Sequence, residues 1–187
     1  MTEPMTEPAT EPTGNPSSSP RKGPGTPEEI AALIHRIEDE ERRLRLPGFD
    51  NEDAWRLGTR LVELARAEQA PVVVDVRRNG RQLFRFALPG SSADNDAWIL
   101  RKTRTVDRYG CSSYLVGLRF AAKGETFEEK SRLDPDTYAA HGGAFPVTVE
   151  GVGVVGTVAV SGLPQAEDHR LVVTALEQHL AAARRGA

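Results

Sequence analysis

One cysteine, Cys111, serves the whole chain of 187 residues, so no disulfide can form within it, and such sparing use suits a reducing compartment. No apolar run approaches the roughly 20 residues needed to cross a bilayer. The opening MTEPMTEPATEP carries neither the basic nor the apolar region of a secretory signal. A basic excess is missing too: 24 Lys and Arg against 27 Asp and Glu give a net charge of −3, which argues against a nucleic-acid partner. None of the 4 histidines falls in H-x-H, H-E-x-x-H or a Cys/His spacing, so no metal site is expected. There is no G-x-S-x-G elbow and no convincing carboxylate pair, so catalytic residues cannot be assigned. These absences lead us to expect a soluble, cytoplasmic protein with no membrane or nucleic-acid partner.

What is present is globular in composition, with 39% hydrophobic and 27% charged residues, enough for one domain plus a tail. Residues 1–25 repeat MTEP, MTEP, ATEP, TGNP before SSSPRKGPG. Proline at every fourth position blocks helix and sheet, so these residues are expected to form a disordered tail, and an ordered domain is expected over 26–184. Thr26-Pro27-Glu28-Glu29 is a capping box with proline at the first helical position, opening a helix expected to run to about Leu46. A second helix starts near Asp50. The valine run after Pro71 predicts a strand buried on both faces, and Asn79-Gly80 predicts a hairpin into Gln82–Leu88. A third helix is expected from Ser91–Asp94 to Tyr109 with Gly110 as its stop, a fourth after Ser112 or Ser113, and a short helical piece around Thr126–Ser131.

The stretch from His141 to His169 organises the rest. Phe145, Val147 and Val149 alternate with Pro146, Thr148 and Glu150, and Val152–Val160 reads as a neighbouring strand. One face of that second strand carries Gly153, Val155, Thr157, Ala159 and Ser161, small enough for a helix or a flat ligand to approach the backbone. Gly151-Val-Gly153-Val-Val-Gly156 spells a dinucleotide fingerprint, but the letters run on into strand instead of opening a helix. The glycines are therefore assigned to a turn and to close packing. A last helix follows over about Gln165–Ala182.

Candidate site residues come from the same region. Asp168 and His169, with His141, either line a mouth where loop 132–144 meets Ser161-Gly-Leu-Pro, or Asp168 with Glu167 simply suits the first turn of a helix. His179 is expected at the surface. Arg101, Lys102, Arg104 and Arg108 read as a solvated helix face, with Lys102 the exception because it shares a line with Trp98. Cys111 would need a partner base and an electropositive niche to react.

The runs F-D-x-x-x-A-W (Phe49–Trp55), A-L-P-G-x-x-x-D-N-D (Ala87–Asp96), A-A-H-G-G (Ala139–Gly143) and S-G-L-P-Q-x-E-D-H (Ser161–His169) occur in order. Together they resemble the haem-degrading-domain family, whose relatives include GlcG-like and HbpS-like proteins, and within it an uncharacterised branch. The resemblance spans about residues 28–182. It implies an α/β (α+β) domain with an antiparallel, about five-stranded sheet backed by helices, assembled as a homo-oligomer. Only four strands are legible, and the fifth is expected within residues 112–144. Lys102 matches a lysine on the helix after the first hairpin, and Gly142, Gly143, Ser161, Gly162 and Asp168 match shared positions. A common pocket for haem or another anionic, partly planar ligand is what this implies, with Lys102 pairing a carboxylate and His141 or His169 giving a polar or axial contact. The other reading is a non-catalytic interaction or chaperone-adaptor module with no small-molecule ligand. A haem-degrading or other redox enzyme ranks below both, since no nicotinamide or flavin signature is present.

Overall fold

The structure is a computed structural model, and it describes residues 25–186; the expected tail lies, apart from Gly25, outside the described residues. Among them are six helices and five strands. Helix α1 (Pro27–Arg43) opens on Thr26 with the expected capping box. It ends earlier than its apolar stripe suggests, and Arg45–Leu46 forms a short strand, β1. Helix α2 (Asn51–Ala67) follows, then the hairpin β2 (Val73–Arg78) and β3 (Arg81–Ala87), joined by Asn79 and Gly80, both at positive φ. Helices α3 (Ala93–Tyr109), α4 (Ser113–Ala121) and α5 (Phe127–Lys130) lead to β4 (Ala144–Val149), β5 (Gly153–Ser161) and α6 (Gln165–Gly186).

The sheet order is β1-β4-β5-β2-β3, antiparallel except for the β1–β4 pair, which is parallel. The fifth strand is therefore β1, not a segment of 112–144. Two residues are too few to show a period-2 pattern, and Leu44 and Leu46 sit where the preceding helical stripe would continue. The letters G-x-G-x-x-G lie on the β4–β5 turn and within β5, with no helix at Gly156.

Helices α2 and α6 cover one sheet face. Leu57, Leu61, Leu171 and Leu176 meet Val72, Val74, Phe145, Val158 and Val160 there. On the other face α3 lies on Val73, Ala144 and Ala159 through Ile99 and Val106. The small-residue face of β5 thus receives a helix, and Thr157 Oγ1 donates to Asp107 of α3 at 3.0 Å. β2 is interior and buried on both faces, as its valines predict. A second core gathers α1, α4 and α5 around Ile37, Leu115, Leu118 and Phe127. Among the described residues no helix is long and apolar enough to cross a membrane.

Candidate functional site

The side chain of Lys102, from the middle of α3, enters the space between the start of β4, the end of β5 and the first turn of α6. It is 2% exposed. Its Nζ donates to Gly142 O at 2.9 Å, to Val160 O at 2.6 Å and to Asp168 Oδ2 at 3.1 Å, so each of the three ammonium hydrogens has an acceptor. The other Asp168 oxygen accepts Leu163 N–H at 3.0 Å, closing the loop that leads into α6. Burial pushes the Lys102 ammonium below the usual lysine range and the Asp168 carboxyl above the usual carboxylate range. Each partner's charge opposes the other's shift, and the geometry is that of an internal ion pair.

Gly143 fits only because it lacks a side chain. Its φ is +116°, and a Cβ there would lie 2.5 Å from Lys102 Nζ and 2.8 Å from Asp168 Cβ. Gly142 is equally hemmed in, by the Gln165 backbone, and its N–H donates to Gln165 Oε1 at 3.3 Å. Ser161 is buried at the end of β5, opposite Val73. Lys102, Gly142, Gly143 and Asp168 therefore come together as one knot, with Ser161 next to its Val160 acceptor.

The two histidines part company. The His141 side chain is 41% exposed, its imidazole set edge-on to Trp98 with ring centres 5.1 Å apart and Nε2 3.7 Å from Glu128 Oε1. Ser113 Oγ donates to the His141 carbonyl at 2.5 Å and fixes the loop from below. The Arg101 guanidinium stacks over Trp98 at 3.9 Å, and its buried Nε has no hydrogen-bond partner. His169 faces the interior: its ring lies near Tyr114 and Phe145, and Nε2 meets Glu40 of α1 at 3.0 Å. Its Nδ1 is buried without a partner. Asp168 and His169 are buried, so neither borders an open mouth beside His141.

His179, expected at the surface, is buried between α6 and α2, with Asp53 3.6 Å away. The stripe of α6 that meets α2 is wider than its leucines alone suggest. Arg104 and Arg108 are exposed, as a solvated face requires. Burial raises the Cys111 thiol to about 11, removing it as a nucleophile near neutrality. Among the described residues no three His, Cys, Asp or Glu side chains are grouped to hold a metal ion. Sequence reasoning missed Glu40 and Ser113. Glu40 carried no signal, being one acid in an E-D-E-E run whose partner lies 129 residues away. Ser113 was read only as one of two possible helix caps, and Ser112 is the cap.

An α/β domain whose last strand and last helix are tied through a buried lysine to a glycine-rich loop is the class that fold and site define. The family described as haem-degrading protein HbpS-like matches residues 49–177, and the chain belongs to it. A UPF0303 protein of Streptomyces avermitilis is 71% identical over 147 residues, covering 79% of this chain and 90% of that protein. Among solved structures, the Ybr137w protein is 34% identical with a TM-score of 0.75, over 86% of this chain and 95% of that one. A structure described as a PduOC:heme complex shares the fold at 20% identity and a TM-score of 0.60, over 70% of this chain and 94% of its own.

Proposed function

We propose that this protein binds a flat, anionic small molecule of the haem type where His141 meets Trp98, and does so as a cytoplasmic homo-oligomer. One observation carries the reading: a half-exposed imidazole stands edge-on to an indole that is itself covered by a guanidinium with an unsatisfied buried nitrogen. That donor set suits the group. An imidazole is a common haem ligand, an indole offers a stacking face, and Arg101 with Arg104 offers cations to carboxylates. Family membership and the shared fold of the PduOC:heme complex support the same reading.

Haem, when bound, would supply a redox-active iron. The chain's own part is to place His141, which Ser113 and the Gly142-Gly143 turn hold outward. In this reading Lys102 and Asp168, with Ser161 behind them, shape that turn from inside, and His169 ties α6 to α1. Hemin titration of the purified full chain should give a Soret shift, with affinity reduced about tenfold or more in His141→Ala, the worth of one good polar contact. No shift, or one unaltered in that variant, would remove the proposal.

A second reading, a non-catalytic interaction or adaptor module, draws on a different surface. Trp55 is 60% exposed beside Phe84 and the edge strand β3, and an exposed apolar patch at a sheet edge suits a protein partner. Recovery of a stoichiometric partner together with a silent hemin titration would favour it.

A further inference from the structure

We propose that α2 and the adjoining edge strand β3 form the contact between two copies of this chain, with their α2 helices antiparallel about a two-fold axis through Thr59. This rests on the homo-oligomer of the reading above and names the surface that builds it. Neither His141 nor Trp98 lies on these elements, so the contact is independent of the hemin site.

An aromatic strip marks the surface. Phe84 and Phe86 stand on β3 opposite Val76 and Val74, on the sheet face that α2 covers. Phe84 lies against α2 at Gly58, where a Cβ would come within 2.3 Å of its ring. Trp55 meets Phe84 edge-on, ring centres 5.7 Å apart, and the Arg66 guanidinium lies over Phe86 at 5.4 Å. The three rings therefore follow one flank of α2, Trp55 toward its start and Phe86 toward its end. Trp55 is 60% and Phe86 37% exposed, and a contiguous apolar patch of this kind marks an interface.

The charges identify the partner. Glu52, Arg56, Thr59, Glu63 and Arg66 share the outward stripe of α2 at helical spacing, acid then base on one side of Thr59 and again acid then base on the other. Turning the helix end for end about Thr59 sets Glu52 opposite Arg66 and Arg56 opposite Glu63, the second pair offset by about 1.5 Å along the axis. Each pair occurs twice by symmetry, and no like charges on the stripe face one another. The two-fold keeps the β3 flanks of the two copies side by side, so Trp55 of one arrives level with Phe86 and Arg66 of the other. Thr59, short and half-buried, lets the helices approach at the crossing. A surface that is its own complement in charge and in apolar outline is what an isologous pair requires.

Oxidative cross-linking of Thr59→Cys in the full chain tests the axis, because residue 59 meets its own copy there. Cys111 is buried, and exposed Ala67, about 12 Å along the helix, gives the control variant Ala67→Cys. Thr59→Cys should yield a disulfide-linked dimer at micromolar concentration, and Ala67→Cys should not. Light scattering over a concentration series tests the charges: Arg56→Glu and Glu63→Arg should each weaken the pair about tenfold, and the double variant should regain most of the loss. Loosening of α2 cannot produce that recovery. An oligomer without the residue-59 cross-link, or one indifferent to both reversals, would overturn this contact and leave the homo-oligomer standing. A monomeric parent would remove both.

Discussion

Removing Asp168 should destabilise the protein far more than an average substitution. In Asp168→Ala the Lys102 ammonium stays buried with two carbonyl acceptors but no counter-charge, and Leu163 N–H loses its acceptor. At 3.1 Å the direct attraction is about 5 kcal/mol for an effective dielectric of about 20. Desolvation offsets much of this in the intact pair, but breaking one side of a buried pair costs about 3–5 kcal/mol because the remaining charge is stranded. For a domain of this size that is a fall in melting temperature of roughly 6–20 °C. Urea unfolding of the parent, Asp168→Ala, Lys102→Met and the double variant would measure it. The double variant should recover part of the loss, since neither charge is then left alone. If Asp168→Ala lost about 1 kcal/mol or less, or if the two single losses simply added, the internal-pair account would be wrong.

Further outcomes follow from the same packing. Cys111, with its thiol raised from 9.0 to about 11, should react with iodoacetamide at pH 8 roughly a hundredfold more slowly in the folded chain than in urea; equal rates would contradict its burial. Because the folded value is raised, this thiol's contribution to stability is full below about pH 9 and declines as pH rises toward about 11. Gly143→Ala should cost more than Gly80→Ala in denaturant unfolding: both have positive φ, worth about 1–2 kcal/mol, but only at Gly143 would the new methyl meet Lys102 and Asp168. Light scattering at micromolar concentration should report an oligomer, and Trp55→Ser should shift it toward monomer; a monomeric parent would remove that expectation.

Much of this architecture was legible because its signals are local. Asn79-Gly80 names its own turn, Thr26 and Asp50 name their caps, and the valines of β2 declare a strand covered on both sides. β1 was not legible, since a strand of two residues is made by its neighbour, Thr148–Val149, and not by its own letters. The site divides in the same way. Lys102, Gly142, Gly143 and Asp168 were marked as a group by resemblance alone, and nothing local states that Lys102 crosses from α3 to α6. Periodicity set it apart from the charged helix face, on a line with Trp98, without revealing that its ammonium is sealed under the sheet end. His169 and His141 look equivalent in sequence, but an acid on a distant helix takes one inward, while a tryptophan one turn before Lys102 borders the other.

The two rims of the sheet are unequal. At one rim stands β1, two residues long and followed at once by Pro47, which has no amide hydrogen to offer. At the other, β3 presents seven residues with no proline. A copy of the chain adding strand to strand would consume that single long rim, leaving no comparable template for a third. Growth along the sheet through β3 would therefore stop at a pair.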